Sequence, residues 1–386
     1  MDEMERRLCA AVDALAPEMS RLSREIHRHP EEGFREFRAV RLLSERLSRR
    51  GFRLEKPLRD MPTALRASRR GARPGPAVGF VAEYDALPDL GHACGHNLIA
   101  ASAFGAAAAL APFLRETGGS VWLFGTPAEE SGNGKVSMLA RGVFKPVDAV
   151  LMCHPESMFL VNTCSLALDA REFRFRGRAS HAAATPYEGV NALDAMLQLF
   201  NAVGALRQQL KPEARVHGII TKGGTFPNII PDLTEARFYI RARERAYLDE
   251  VTRKVEACAR GAALATGCRL ELSEFESSVD EVVNHPELSG LVEKHLRALG
   301  VRDIVPTDEV PGSTDFGNLS RRVPSAYFYF AAAPRGKDLH TREFAARAAS
   351  PTAHRGLLTA VKAMALCGLE LLRRPDLARG LSRRRA

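Results

Sequence analysis

The chain has 386 residues, of which 45% are hydrophobic and 26% are charged. This composition is typical of a globular protein and excludes disordered and collagen-like classes, and the length favours two domains. The formal net charge is +9, and the densest basic cluster is the segment "RRPDLARGLSRRRA". No zinc finger, RNA-recognition signature or basic-aromatic pattern accompanies this charge, so no nucleic-acid partner is predicted.

The first ten residues, "MDEMERRLCA", carry charges and lack the apolar core of a signal peptide. The seven cysteines form no C-x-x-C pair. An odd number of cysteines without an export signal is typical of free thiols in a reducing compartment. We therefore expect a cytoplasmic protein.

The first fifty residues are predicted to be helical, because apolar residues recur at helical spacing from Phe37 to Leu47. Strands are predicted at "TALRAS" and "AVGFVAEY", which the turn-rich "RRGARPGP" separates. The uncharged run "NLIAASAFGAAAALAPFL", residues 97–114, is mostly alanine and contains Pro112. It predicts a buried helix rather than a membrane span.

The next apolar strands are "SVWLFGTP" and "DAVLMCHP". Alternation of apolar strands with helices indicates an α/β layer structure with a largely buried sheet. Near residue 168 the pattern changes, since "DAREFRFRGR" alternates polar and apolar residues. From there the predicted order is strand, helix, two strands, helix and strand, as in a ferredoxin-like sandwich. We expect this α+β domain, residues 169–281, to be inserted into an α/β domain formed by 1–168 and 282–386.

Four polar clusters lie at or after predicted strands of the larger domain, where α/β sheets place their sites. In chain order they contain Cys94 and His96, then Glu129 and Glu130, then His154, and finally His340. Thiolate, imidazole and carboxylate groups are the ligands of zinc and related ions. Each cluster alone also suits a thiol nucleophile, a solvated acidic turn or a structural histidine. Together they supply five ligands and a spare carboxylate, which predicts a two-metal hydrolase.

The adjacent glutamates are expected to divide the work at such a site. Neighbouring side chains of an extended backbone point to opposite sides, so one glutamate can bind metal while the other faces water or substrate. Two ions ~3.5–4 Å apart share a hydroxide and polarise the attacked carbonyl. The spare carboxylate takes the proton from the water and passes it to the leaving amine.

Seven motifs then carry a family resemblance. They are, in chain order, "AEYDALPDLGHACGHNLIAA", "GTPAEESGNGK", "CHP", "GRASHAAATPYEGVNALDA", "NIIPDLTEARFYIRA", "GSTDFGN" and "LHTREF". As an ordered set they resemble the aminoacylase/carboxypeptidase G family of binuclear metallopeptidases and amidohydrolases, from residue 27 to about residue 365. The branch is that of the hippurate, indole-acetyl-amino-acid and aminobenzoyl-glutamate hydrolases, and the subgroup is dipeptidase-like. The resemblance implies an α/β metallopeptidase domain with a central mixed sheet and an inserted lid domain.

The resemblance also implies an activity and a ligand set. The activity is hydrolysis of the amide bond of a dipeptide or an N-acyl amino acid. The implied ligands are Cys94, His96, Glu130, His154 and His340. They would bind two divalent ions, with zinc or manganese the first expectation and cobalt a further option.

Further roles follow from the same resemblance. Glu129 is implied to be the general base and then the general acid, and Asp85 to orient a metal ligand. In the lid domain, His181 is implied to reach the active site of a partner subunit and to stabilise the developing oxyanion. This role requires a homodimer formed through the lid.

The resemblance implies three substrate-binding residues, Asn228, Arg241 and Thr314. A guanidinium group suits the substrate carboxylate, because it binds both oxygens.

The sequence departs from the family pattern at several positions. Glu83 stands where many relatives outside the branch carry a metal-binding histidine, and Asn97 replaces a common aspartate. Thr341 and Arg342 replace serine and proline. Arg342 favours an acidic leaving amino acid, whereas the subgroup favours a basic one. These departures motivate a competing interpretation, a retired hydrolase that binds conjugates or metal without turnover, although both glutamates of the acidic pair are present.

Overall fold

The computed structural model describes residues 1–55, 59–306, 312–336 and 339–383. The chain divides into two compact units. The larger unit is formed by Met1–Cys164, Val282–Pro311 and Asp315–Ala386, and the smaller unit by Ser165–Glu281 and Gly312–Thr314. Residues 312–314, assigned to the larger domain from the sequence, pack with the smaller unit.

The helices are, in chain order, α1 (Glu3–Arg28), α2 (Phe37–Arg49), α3 (His96–Leu110), α4 (Leu114–Thr117), α5 (Glu129–Gly132), α6 (Gly134–Ala140), α7 (Ala192–Leu206), α8 (Arg245–Thr266), α9 (Pro286–Ala298), α10 (Phe316–Ser320), α11 (Arg342–Arg347), α12 (Pro351–Arg373) and α13 (Pro375–Arg383). The strands are β1 (Arg53–Glu55), β2 (Leu65–Arg70), β3 (Ala77–Glu83), β4 (Ser120–Thr126), β5 (Ala149–Glu156), β6 (Phe159–Val161), β7 (Ala167–Arg176), β8 (Arg215–Lys222), β9 (Leu233–Ala242), β10 (Arg269–Glu274), β11 (Ile304–Pro306) and β12 (Ser325–Ala331).

The larger unit is built on a mixed sheet of eight described strands, in the order β1-β2-β4-β3-β5-β12-β6-β11. Its centre is parallel, because β3 pairs in parallel with β4 and β5, and β12 pairs in parallel with β5. These strands are almost wholly buried, as expected for a sheet with covered faces. The predicted central mixed sheet is confirmed, and its parallel strands end together at one edge.

Helix α3 is the core helix of the larger unit, and all of its residues are buried. The segment His96–Thr117 is long and apolar enough to cross a membrane, but 94% of its most apolar window is buried within the protein. A side chain at Gly105 would come within 2.0 Å of the sulfur of Met19, so α1 packs directly on the α3 backbone. The predicted buried helix is confirmed, and it ends before a 3-10 turn containing Pro112.

The prediction that the first fifty residues are helical is wrong for residues 29–36. Helix α1 ends at Arg28, and α2 begins only at Phe37. Pro30 disfavours the helical conformation of the residue before it, and Phe34 has a left-handed backbone with φ 62°. This interruption, the 29–36 loop, contributes to the support of the site described below.

The smaller unit is a four-stranded antiparallel sheet in the order β10-β7-β9-β8, with α7 and α8 packed on it. Its chain order of strand, helix, two strands, helix and strand is the predicted ferredoxin-like arrangement. Buried Asp169 ties its elements together by accepting hydrogen bonds from Thr252, Ser278 and Arg245. The mixed α/β fold with a second antiparallel sheet is therefore confirmed.

Candidate metal centre

The parallel strands of the larger unit carry polar residues to one edge of the sheet. Glu83 ends β3, and Asp85 follows two residues later. Glu129 begins α5 after β4, and His154 lies near the end of β5. His340 joins them because its backbone N–H donates to the carbonyl of Ala93 at 2.9 Å.

Donor atoms of these residues form compact groups able to hold a metal ion. One group is Cys94, His96 and His154, and a second is Cys94, Glu130 and His340. A third group is His96, Glu129 and Glu130. Within each group the donor atoms all lie within 4.8 Å of one another. Cys94 belongs to the first two groups, so its sulfur lies between two sets of ligands.

The buried imidazoles are held with one nitrogen directed at the cluster. His96 Nδ1 lies 2.9 Å from Asp85 Oδ1, and His154 Nδ1 lies 2.8 Å from the carbonyl oxygen of Pro155. Both acceptors place the ring proton on Nδ1 and leave Nε2 as the basic atom. His154 Nε2 lies 3.4 Å from Cys94 Sγ. A carboxylate or carbonyl behind a histidine is the usual support of a metal ligand.

Unsatisfied polar atoms show that the cluster fits a cation. His96 Nε2 and Glu130 Oε1 are buried and have no hydrogen-bond partner among the described residues. They lie 3.8 Å apart, and His340 Nε2 lies 3.7 Å from the same glutamate oxygen. Buried polar atoms without partners are costly. A divalent ion coordinated by these atoms would satisfy them, and the sulfur, nitrogen and oxygen donor set suits one.

Burial perturbs the ionisation of the cluster. It lowers the pKa of His154 to about 3, with the neighbouring His96 adding to the effect. Burial also raises the pKa of Cys94, and Glu130 raises it further. The pKa of Glu129 is raised well above its usual value by burial and then by Glu83 and Glu130. His154 is thus kept neutral with a lone pair free to bind a cation, and a nearby positive charge would stabilise the thiolate and the carboxylates.

The expected extended backbone at Glu129 and Glu130 is wrong. Both residues lie in the short helix α5, which follows Ala128 with a left-handed φ of 55°. A helical turn places the two carboxylates side by side instead of on opposite faces. Their oxygens lie 3.9 Å and 3.8 Å from His96 Nε2. Both glutamates therefore reach the cluster directly.

Glu36 supports this turn and was not predicted. Its carboxylate is fully buried and accepts a hydrogen bond of 2.7 Å from the backbone N–H of Ala128. The carbonyl of Glu31 accepts from Ala86 N–H at 2.9 Å, next to Asp85. A side chain at Gly33 would come within 2.8 Å of the Cβ of Ala128. The 29–36 loop therefore holds both the aspartate segment and the glutamate turn.

Lys135 and Asp315 also escaped prediction. Lys135 is fully buried, and its Nζ lies 2.6 Å from Glu83 Oε1 and 2.5 Å from Asp315 Oδ1. Glu83, which was considered only as a replaced histidine, is thus part of a buried ion-paired group. A fourth set of donor atoms, from Glu83, Glu129 and Asp315, is as compact as the other three.

Two residues predicted for the lid lie together in the smaller unit. His181 forms a bridge with Ile229, and Ala182 N–H donates to the carbonyl of Asn228 at 3.0 Å. The imidazole Nδ1 of His181 accepts from the N–H groups of Ala183 and Ala184, each at 3.2 Å. The neutral ring therefore carries its proton on Nε2, and the side chain is exposed.

The other two predicted substrate residues of the smaller unit are also neighbours. Arg241 donates to Ser313 Oγ at 3.1 Å, and Thr314 is the next residue. Burial lowers the pKa of Arg241, and its Nε has no hydrogen-bond partner among the described residues. A partly buried guanidinium with an unpaired donor is suited to an anionic ligand.

The remaining departures from the family pattern have local explanations. Asn97 donates to Ser23 Oγ at 2.8 Å and to the carbonyl of Ala348 at 3.0 Å, so it joins α3 to α1. Thr341 caps α11 by accepting from Phe344 N–H at 3.1 Å. Arg342 is the exposed first residue of that helix.

Comparison with known proteins agrees with this geometry. Residues 79–365 match the model of peptidase family M20/M25/M40. The Xaa-Arg dipeptidase of Mus musculus is 38% identical, in a match covering 99% of this chain and 92% of that protein. One of the two related chains of the p-aminobenzoyl-glutamate hydrolase of Escherichia coli K12 is 30% identical, with 96% of this chain and 92% of that one covered.

A solved structure gives the same fold. It is a dinuclear metal-binding peptidase of the M20 family from Bacillus subtilis, with a TM-score of 0.69 and 22% identity. The match covers 93% of this chain and 99% of that one. The family resemblance is thus confirmed, and so is the mixed α/β architecture.

Glu36 generates a prediction about stability and pH. Burial raises its pKa to about 7, so it contributes stability below the unfolded pKa that is lost as the pH rises through the folded value. Relative to Glu36→Gln, the metal-free wild type should lose ~2 kcal/mol of unfolding free energy between pH 5 and pH 8. Urea unfolding at several pH values measures this difference. Glu32→Gln, at an exposed position, should show no such trend, and a pH-independent difference for Glu36→Gln would contradict the assignment.

Proposed function

The chain belongs to peptidase family M20/M25/M40 and is a metal-dependent peptidase or amidohydrolase, and we propose that it releases an amino acid from a dipeptide or an N-acyl amino acid. The observation that supports this most strongly is the sharing of Cys94 between two ligand groups, with Glu129 beside them. Relatives named for Xaa-Arg dipeptides and for p-aminobenzoyl-glutamate support the same class of substrate, an amide of an amino acid with a free carboxylate.

In this proposal the groups at Cys94 hold two divalent ions. Cys94, His96 and His154 would hold one ion, and Cys94, Glu130 and His340 the other. Zinc and manganese are the first choices and cobalt the next, because one sulfur with mixed nitrogen and oxygen donors suits all three. When bound, such ions polarise the amide carbonyl and lower the pKa of a water molecule.

Glu129 moves the proton. Its carboxylate accepts a proton from the attacking water and donates it to the nitrogen of the leaving amine, so that the C–N bond breaks without a free anion. It lies 3.9 Å from His96 Nε2 and is 13% exposed, within reach of a water at the ligands. Asp85 fixes the His96 ring through Nδ1 and thereby directs Nε2 towards the ligand group.

The smaller unit supplies the proposed substrate contacts. Nε2–H of His181 is a free donor for the developing oxyanion, which is supported by the hydrogen bonds that hold its Nδ1. Arg241 would bind the substrate carboxylate, with Asn228 and Thr314 as further polar contacts. The unpaired Nε of Arg241 supports this assignment.

Homodimerisation through the smaller unit and a cytoplasmic location belong to the same proposal. Strand β8 is an edge of the antiparallel sheet and exposes Ile219 at 66% and Ile220 at 39%, and such an edge favours pairing with another chain. The seven cysteines are free, as in reducing compartments. Sedimentation equilibrium of the intact protein should give the dimer mass; a monomer at micromolar concentration would refute the dimer.

Glu129→Gln tests the proposed mechanism. Loss of the proton acceptor should lower kcat by at least ~100-fold while the bound metal, measured by mass spectrometry of the elements, stays at the wild-type amount. Glu45→Gln, exposed on α2, is the matched control and should keep full activity. Wild-type turnover in Glu129→Gln would exclude this residue as the base, and absence of turnover in the metal-loaded wild type would favour the retired-hydrolase interpretation.

The substrate class is tested with a panel of dipeptides and N-acyl amino acids that differ in the leaving residue. Metal-free protein should be inactive, and zinc, manganese or cobalt should restore release of the amino acid. Blocking the substrate carboxylate as an amide should lower kcat/KM by ~10–100-fold, because a charged hydrogen bond is lost. Preference for arginine would match the dipeptidase relatives, preference for glutamate would place Arg342 in the pocket, and activity indifferent to the blocked carboxylate would contradict the proposal.

A further inference from the structure

Lys135 is a charged side chain buried beside the metal ligands. It is the second residue of the short helix α6 and has no exposed surface. Lysine is rarely buried in full, because removing its ammonium from water is costly unless anions compensate it. A lysine in this position therefore has partners that stabilise its charge.

Those partners are two carboxylates from distant parts of the chain. The ammonium lies 2.6 Å from Glu83 Oε1, at the end of β3, and 2.5 Å from Asp315 Oδ1, before α10. The backbone N–H of Lys135 donates to the other oxygen of Asp315 at 2.8 Å. Burial disfavours the charge, but Asp315 and Glu83 outweigh it and raise the pKa of Lys135 above its usual value. Lys135 is a permanent cation at this point.

The same carboxylates form a group that could hold a metal ion. Oxygens of Glu83, Glu129 and Asp315 lie within 4.8 Å of one another, and all-oxygen sites suit hard divalent ions such as manganese and magnesium. Neither carboxylate oxygen of Glu83 has a hydrogen-bond partner among the described residues. The ammonium of Lys135 nevertheless contacts two of the three acids, at the place a metal ion would occupy.

We propose that Lys135 is a resident cation of the metal centre, whose ammonium fills the carboxylate group of Glu83, Glu129 and Asp315 and so restricts divalent ions to the two groups that contain Cys94. This inference rests on the proposed two-metal function. It explains how Glu83, whose Oε2 lies only 3.5 Å from His96 Nε2, is held on the lysine. Lys135 is thus a positioning residue, and it leaves Glu129 free for the substrate.

The direct test counts metal ions in Lys135→Ala. The variant loses the ammonium and its stem, which opens space for an ion and its water ligands. After removal of metal and equilibration with excess Mn²⁺, the wild type should retain about two ions per chain and Lys135→Ala about three. Mn²⁺ should also raise the melting temperature of Lys135→Ala more than that of the wild type, because the added ion replaces the missing charge. Turnover should fall as the third site fills and engages Glu129.

Two further variants separate charge from packing. Lys135→Arg keeps a positive charge and should retain about two ions. The double variant Lys135→Met with Glu83→Gln removes one cation and one anion together, so it should fold and also retain about two ions. If Lys135→Ala is unfolded without metal, Mn²⁺ should restore its native circular dichroism, since the proposal makes the ion a substitute for the ammonium.

The outcomes are distinguishable. About two ions in Lys135→Ala, with a wild-type response of the melting temperature to Mn²⁺, would overturn the resident-cation proposal while leaving the proposed function intact. Failure of Mn²⁺ to refold an unfolded Lys135→Ala would overturn it as well. A wild type that binds no divalent ion would instead overturn the proposed function on which it rests.

Discussion

The compensation of buried negative charge is the constraint on which this site depends. Glu83, Asp85, Glu129, Glu130 and Asp315 meet at one edge of the sheet, and their side chains are almost wholly withdrawn from water. Like charges at such distances raise one another's pKa and destabilise the fold unless cations are present. The chain supplies one cation as Lys135 and supports Asp85 with a histidine and a backbone N–H. The remaining charge, with the unpaired atoms of His96 and Glu130, is what divalent ions would balance.

The fold provides the positions at which these groups meet. Parallel strands β3, β4 and β5 end at the same edge, so residues far apart in sequence converge there. Helix α3 can lie close to the sheet and to α1 because alanine and glycine form most of its surface. The 29–36 loop then fixes the two segments that carry Asp85 and the glutamate pair, through Glu31 and Glu36. Local order at the site thus comes from backbone hydrogen bonds.

Much of this could be predicted from the sequence, because the ligands are of distinctive types at the ends of apolar strands. Cys94, His96, Glu130, His154 and His340 were all identified, and the structure brings their donor atoms together. The strand and helix order of the smaller unit was likewise readable from alternation of polar and apolar residues.

The residues that were missed act through contacts that no local pattern encodes. Lys135 reads as an ordinary polar residue of a glycine-rich turn, and only the convergence of β3 and α10 reveals its partners. Glu36 lies in a segment whose apolar periodicity predicted uninterrupted helix, although Pro30 and Gly33 signalled a break. The helical turn at Glu129 depends on the left-handed Ala128, which Glu36 holds from a distant loop. Tertiary hydrogen bonds overrode local preference at each of these places.

The central claim is that one buried cysteine joins two metal sites at the edge of the sheet. Anomalous diffraction from crystals of the manganese-loaded protein tests it most directly. We expect two peaks ~3.5–4 Å apart, both within coordination distance of Cys94 Sγ, and no peak between Glu83 and Asp315. A single peak, or ions bound away from Cys94, would contradict it.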